Sequence, residues 1–285
     1  MPISSAAMLV DLNISVWTAN KVDRDATRKV AADSNATADA GLFRKNLMAG
    51  STLRKEIADY AAACRLWHNT HTLPWADRGS RLLATSLFFD YKAEANARQT
   101  YFMEKVDQFC RDYPALQERA KECLGGLYNP AEYPDIEDVR AKFGFRLVFS
   151  PVPESGDFRL DLPAQDMVEM RSQYDTAFQA RLADAMREPW ERLKDMLERM
   201  TDKLDLSLSD NDAKMRWHDT FLTNAQDLCQ MLTHLNVTND PELEQARLDL
   251  QRAIYGVNMD DIKEEAATRI EVKSKLDAIL KSYSW

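Results

Sequence analysis

Glycine and proline are scarce in this chain, 8 and 10 of 285 residues. A sheet-dominated fold needs many tight turns, so this scarcity points to helices. Cysteine is equally sparse. Cys64, Cys110, Cys123 and Cys229 form no C-x-x-C pair. The opening MPISSAAMLVDLN lacks the basic start and long apolar run of a secretory signal. A cytoplasmic protein with reduced, mostly buried thiols is therefore expected. No stretch approaches 18 uninterrupted apolar residues, so no membrane span is expected. Also absent are G-x-x-x-x-G-K-[ST], G-x-G-x-x-G and G-x-S-x-G, which leaves nucleotide cofactors and a nucleophile elbow without a motif. Net basic charge is missing too. The chain carries −9, which repels nucleic acid on average.

What is present is helical periodicity with two β signals. Met8, Val10, Leu12, Ile14 and Val16 alternate with Asp11, Asn13 and Ser15, predicting a half-buried strand over 8–17. Thr18 to Asp33 reads as a helix, and Ser34 to Gly50 as a loop or short helix. Ser51 opens a helix whose Leu53, Ile57, Tyr60, Ala61, Cys64 and Trp67 recur at helical spacing to about Asn69. RLLATSLFFDY is ambiguous between strand and helix start. Ala93 to Asp112 is helical, and Pro114 begins a separate helix that stops at Gly125-Gly126. Ile136 to Lys142 is a short helix. Phe143 to Pro163 predicts a hairpin turned at ESG. From Gln165 the apolar residues step by three and four through Leu204. They predict one amphipathic helix of about 40 residues, roughly 60 Å long, kinked at Pro189. Three further helices cover Ala213–Leu235, Asp240 to Gly256 and Met259–Ser282. The fold class read from this is α+β and predominantly helical. A small N-terminal mixed sheet with helices occupies 1–163, and a long-helix, coiled-coil-like bundle occupies 164–285.

Chemistry concentrates in HTLPWADRGSRLLA, residues 71–84. Pro74 holds Leu73 extended, and Trp75 supplies a large apolar anchor. Gly79 suits a positive φ, and Asp77 can accept from Arg78 or Arg81. A pinned structural turn is one reading. The other is a groove for single-stranded nucleic acid. Between Leu42 and Arg98 there are nine Lys/Arg against five Asp/Glu, a local balance of +4 with −13 in the remainder. Arg44, Lys45, Arg54, Lys55, Arg78 and Arg81 would take phosphates. Among the aromatic rings threaded through them (Phe43, Tyr60, Trp67, Trp75, Phe88, Phe89 and Tyr91), exposed ones would stack on bases. His68 and His71, and Cys64 with His68, are the only metal-type and nucleophile-type pairs. Neither has a completing partner nearby in sequence, and Cys64 fits the apolar stripe. No cofactor, no metal and no catalytic residue are expected.

Three stretches, VDLNISVWTANK, LPWADRGSRLL and PVPESGDFRLDL, occur in that order before a helical tail. Together they resemble an uncharacterised family of bacteriophages and integrative elements. Its members are often encoded beside a MoxR-type AAA+ ATPase and a protein with a von Willebrand A domain. The resemblance implies a mobile-element protein acting in the host cytoplasm as accessory to a remodelling ATPase, and it carries no catalytic residue. The Met-rich helical stripe adds an expectation of a non-enzymatic interaction or scaffold protein that self-associates or docks on a protein partner. The alternative is a single-stranded nucleic-acid-binding accessory of replication or recombination that uses the 42–98 segment.

Overall fold

The N-terminal alternation does form a strand. In the computed structural model, which describes residues 3–37, 39–76, 79–153, 164–209 and 217–285, a turn of helix α1 (Ile3–Ala6) leads into β1 (Ala7–Ser15). There follow β2 (Asn20–Val22), α2 (Arg24–Asp33), β3 (Arg44–Asn46), α3 (Leu53–His71), β4 (Leu73–Pro74), β5 (Arg81–Ala84), α4 (Phe88–Leu124), α5 (Ile136–Arg140) and β6 (Gly144–Pro151). The helices α6 (Ala164–Ser209), α7 (Thr220–Leu235), α8 (Pro241–Ile254), α9 (Met259–Glu264) and α10 (Ala266–Ser282) complete the chain. The protein is 69% helical. Its small sheet has the order β4-β5-β1-β6, and β2 pairs with β3 separately. β1 and β5 are antiparallel with Ala7 opposite Ala84, and β4 and β5 with Pro74 opposite Arg81. β4 stands at the sheet edge, where the missing proline donor does no harm.

The chain forms two compact units that interleave in sequence, where a contiguous division at 163 was expected. One comprises Met1–Asp11, Asn69–Tyr91 and Val148–Trp285, and the other Leu12–His68 and Lys92–Leu147. The cause in the first unit is strand pairing. The β1–β5 ladder draws 7–10 and 81–84 together, and their apolar side chains share a core with α6 and α7. That core holds Ala7, Leu9, Leu73, Leu82, Ala185 and Leu235. Burial along β1 departs from simple alternation, since Leu9 and Val10 are both buried.

The rest of the first unit is the helical bundle. Leu193, Leu197, Met200 and Leu204 of α6 meet Leu222, Ala225 and Leu232 of α7. With them lie Leu243, Ala246 and Leu250 of α8 and Val272, Leu276 and Ile279 of α10. Each such side chain taken from water contributes about 1.5–3 kcal/mol. α8 starts as its sequence implies. The Asp240 carboxylate accepts from the N–H groups of Glu242 (2.9 Å) and Leu243 (3.4 Å), with Pro241 next in line. The single helix expected over 259–282 is instead α9 and α10. Glu265 is extended between them, and Arg269 donates to the otherwise unpaired Ile262 and Lys263 carbonyls.

In the second unit α3 and α4 bury Ile57, Ala61 and Cys64 with Phe102, Val106 and Phe109. The Trp17 ring meets Phe109 edge-on at 6.2 Å. Two expectations are corrected here. The 18–33 stretch begins with β2 before its helix, because Asn20–Val22 finds a partner in Arg44–Asn46. Pro114 does not start a helix; it lies inside the 37-residue α4. Buried Phe109, Tyr113 and Ala120 on either side hold the helix through it, at the cost of one backbone hydrogen bond. The expected second hairpin strand, 158–162, and the start of the 213–235 helix lie outside the described residues.

Pro114→Ala restores that bond and removes the ring clash with the Cys110 carbonyl. We expect it to stabilise the protein by about 1–2 kcal/mol after the looser unfolded chain is allowed for. Urea denaturation followed by circular dichroism measures this, and a midpoint unchanged or lowered would show that α4 accommodates the proline without strain.

Candidate functional site

Within the first unit, the described residues singled out between 71 and 84 form a joint between the last residues of α3, from Asn69 on, the sheet and α6. Thr72 and Leu73 are fully buried where α3 ends. Trp75 is 7% exposed, and its ring meets Phe178 of α6 edge-on at 5.2 Å, in the core that contains Leu9 and Leu82. It therefore anchors the turn and offers no face to a base. Gly79 has φ +108, the left-handed conformation expected of it, and Ser80 donates to Asp11 at 2.9 Å. Asp77 and Arg78 lie outside the described residues.

Arg81 finds partners far from its own stretch, among the described residues at the end of α3 and on α6. Its Nε donates to Thr72 Oγ1 at 2.7 Å, and its Nη2 to the carbonyl oxygens of Thr72 (3.0 Å) and Asn69 (3.4 Å). Arg192 of α6 reaches the same helix end, donating to the carbonyls of Thr70 (2.6 Å), Asn69 (2.7 Å) and Thr72 (3.1 Å). Glu188 accepts from both guanidinium groups, from Arg192 Nε at 3.0 Å and from Arg81 at 3.5 Å. Two cations on the last carbonyls of α3 complement its dipole and satisfy oxygens that the helix leaves unpaired. Glu188 keeps the two positive charges from repelling each other. Burial lowers the Arg81 pKa from its ordinary value, with Glu188 opposing and Arg192 adding to the decrease. Sequence reading missed Glu188 and Arg192. They form an i, i+4 acid–base pair astride Pro189, but nothing local says that the pair faces the end of α3.

The remaining candidates belong to the second unit. Arg44 is exposed on β3, Arg54 is half-buried, and Lys55 forms an exposed pair with Asp59 at 2.7 Å, a type worth little. Lys45 is buried. Its ammonium lies 3.0 Å from Asp23 Oδ2 and 2.7 Å from Glu132 Oε2, and donates to the Leu127 carbonyl at 2.8 Å. Burial alone would lower the Lys45 pKa; the Glu132 and Asp23 carboxylates outweigh it, and the net direction is up. Asp23 also caps α2, accepting from the Ala26 N–H at 2.9 Å. That bond first, and Lys45 second, lower its pKa below 3.8. Cys64 and His68 are buried on α3, and burial pushes the Cys229 thiol up to about 11. Among the described residues no group of three or more His, Cys, Asp or Glu side chains is placed to hold a metal ion. No helix among them is long and apolar enough to cross a membrane.

Comparison with known proteins adds no relative: no family model, no curated protein and no solved structure matches the chain.

Glu188→Ala strands two half-buried guanidinium groups side by side. We expect a loss of about 2–4 kcal/mol, with Glu188→Gln losing less because it keeps an acceptor. Thermal melts report this, and equal melting of Glu188→Ala and wild type would deny the joint its role. Asp23 has a depressed folded pKa, so its contribution is complete above 3.8 and disappears as pH falls through the lower folded value. Wild type should melt above Asp23→Asn at neutral pH, and the gap should close in strong acid. A gap independent of pH would rule out the charge as its source.

Proposed function

We propose that this chain is a non-enzymatic interaction protein that self-associates through the N-terminal half of α6. One observation carries the reading: a single apolar stripe changes environment along one helix. From Leu193 to Leu204 it is buried under the bundle. Towards the N-terminus Met167, Met170 and Tyr174 are only half-buried, and neighbouring Val168 is 69% exposed. Methionine adapts to irregular partner surfaces, which suits a face of this kind.

Charge favours a second copy, running antiparallel, as the occupant. Asp166 and Glu169 lie towards the start of the helix, and Arg181 lies about three turns beyond Met170. Antiparallel pairing centred near Tyr174 puts the acids of one copy beside Arg181 of the other, whereas parallel pairing stacks like charges. Taken with the resemblance to mobile-element proteins, the dimer is a platform serving a phage or integrative-element process in the host cytoplasm, with an AAA+ remodelling ATPase as the class of protein it assists.

Light scattering tests self-association. The mass should rise with concentration from 32.6 kDa towards twice that value. Met170→Glu should stay monomeric with unchanged helix content. Arg181→Glu should weaken the dimer about tenfold, roughly 1.4 kcal/mol, and Asp166→Arg added to it should restore pairing. A wild-type monomer at every concentration overturns the reading.

A further inference from the structure

The second unit contains a groove of about 960 Å³ that the sequence did not single out. Strand β2 and the first turns of α2 form one side, and the 126–132 turn forms the other. Its volume is near the upper end of small-molecule sites, but its walls are charged where such sites are mostly apolar, so a charged ligand suits it.

Within the groove the acids are already engaged. Asp23 and Glu132 hold Lys45, and Asp25 pairs with Arg28. Lys21, Arg24 and Lys29 line the groove and are exposed. Among the described residues none of the three has an ion pair or a side-chain hydrogen bond. Of the seven charged groups that line the groove four are cationic and three anionic, Arg28 beside it engages Asp25, and the N-terminus of the ten-residue α2 adds its positive dipole end. The opposite wall presents Tyr128, a half-buried ring 5.2 Å from Tyr133, followed by Asn129, whose amide NH2 is a donor and whose Oδ1 already accepts from the Ala131 N–H at 3.1 Å. Lys45 positions that wall, because its ammonium holds the Leu127 carbonyl directly before Tyr128.

We propose that this groove binds a nucleotide, its phosphate on Lys21, Arg24 and Lys29 and its base against Tyr128 and Asn129. The chemistry required, a phosphate with a base at one side, is common to a free nucleotide and to a unit of a single strand. The site is independent of α6, so it stands or falls apart from self-association.

Fluorescence anisotropy of the full chain with a labelled oligothymidylate of about ten nucleotides supplies the test. Binding should appear at low salt and weaken with a log–log slope of about −2, as for three phosphate contacts on a single strand. Replacing Lys21, Arg24 and Lys29 together by Glu should abolish it. Tyr128→Ala should weaken it about tenfold or more, and Tyr128→Phe, which keeps the ring, should not. Arg44→Glu on neighbouring β3 and Met170→Glu on α6 should leave it unchanged. Displacement by thymidine monophosphate assigns the groove to free nucleotides, and displacement by oligomer alone assigns it to a strand. No binding of either at low salt, retention in the triple variant, or displacement by inorganic phosphate as effective as by the nucleotide overturns the proposal.

Discussion

Two arginines on one helix end hold the first unit in register. Arg81 comes from a strand and Arg192 from α6, and both donate to carbonyls at the end of α3 while Glu188 balances them. The requirement is general: the last carbonyls of a helix have no partner within it and take donors from elsewhere. Meeting it with side chains from two other elements ties a strand and a long helix to one point. Trp75 then has a fixed place against Phe178.

This arrangement changes the meaning of the positive segment. Its local surplus of charge suggests a surface for phosphates, yet its members do different work. Arg81 is engaged with a helix end, Lys45 with two carboxylates and a carbonyl, and Lys55 with Asp59. The cations that face a groove and have no ion pair among the described residues, Lys21, Arg24 and Lys29, lie before that segment in sequence. Charge counted along a chain says how much is present; which charges remain free depends on the acids that folding brings beside them, such as Glu132 and Glu188.

α6 shows the same contrast for apolar residues. Its stripe has one period over its length, and its sequence does not distinguish Met170 from Met200. Met200 is 2% exposed within the bundle, and Met170 is half-exposed. The difference comes from where α7, α8 and α10 lie along the helix, and those helices are too short to cover all of it.

Local periodicity by itself determined the helical character, the N-terminal strand, α3, the great length of α6 and the start of α8. These depend on which side chains lie on one face and which short polar groups precede a turn, both properties of near neighbours in the chain. Tertiary structure decided the rest. It paired Asn20–Val22 with Arg44–Asn46, carried α4 through Pro114, interleaved the two units, and joined Arg81 to Glu188 across more than a hundred residues. Each of these outcomes depends on a partner distant in sequence. Pairing and burial are energies between surfaces, and no local pattern states which surfaces will meet.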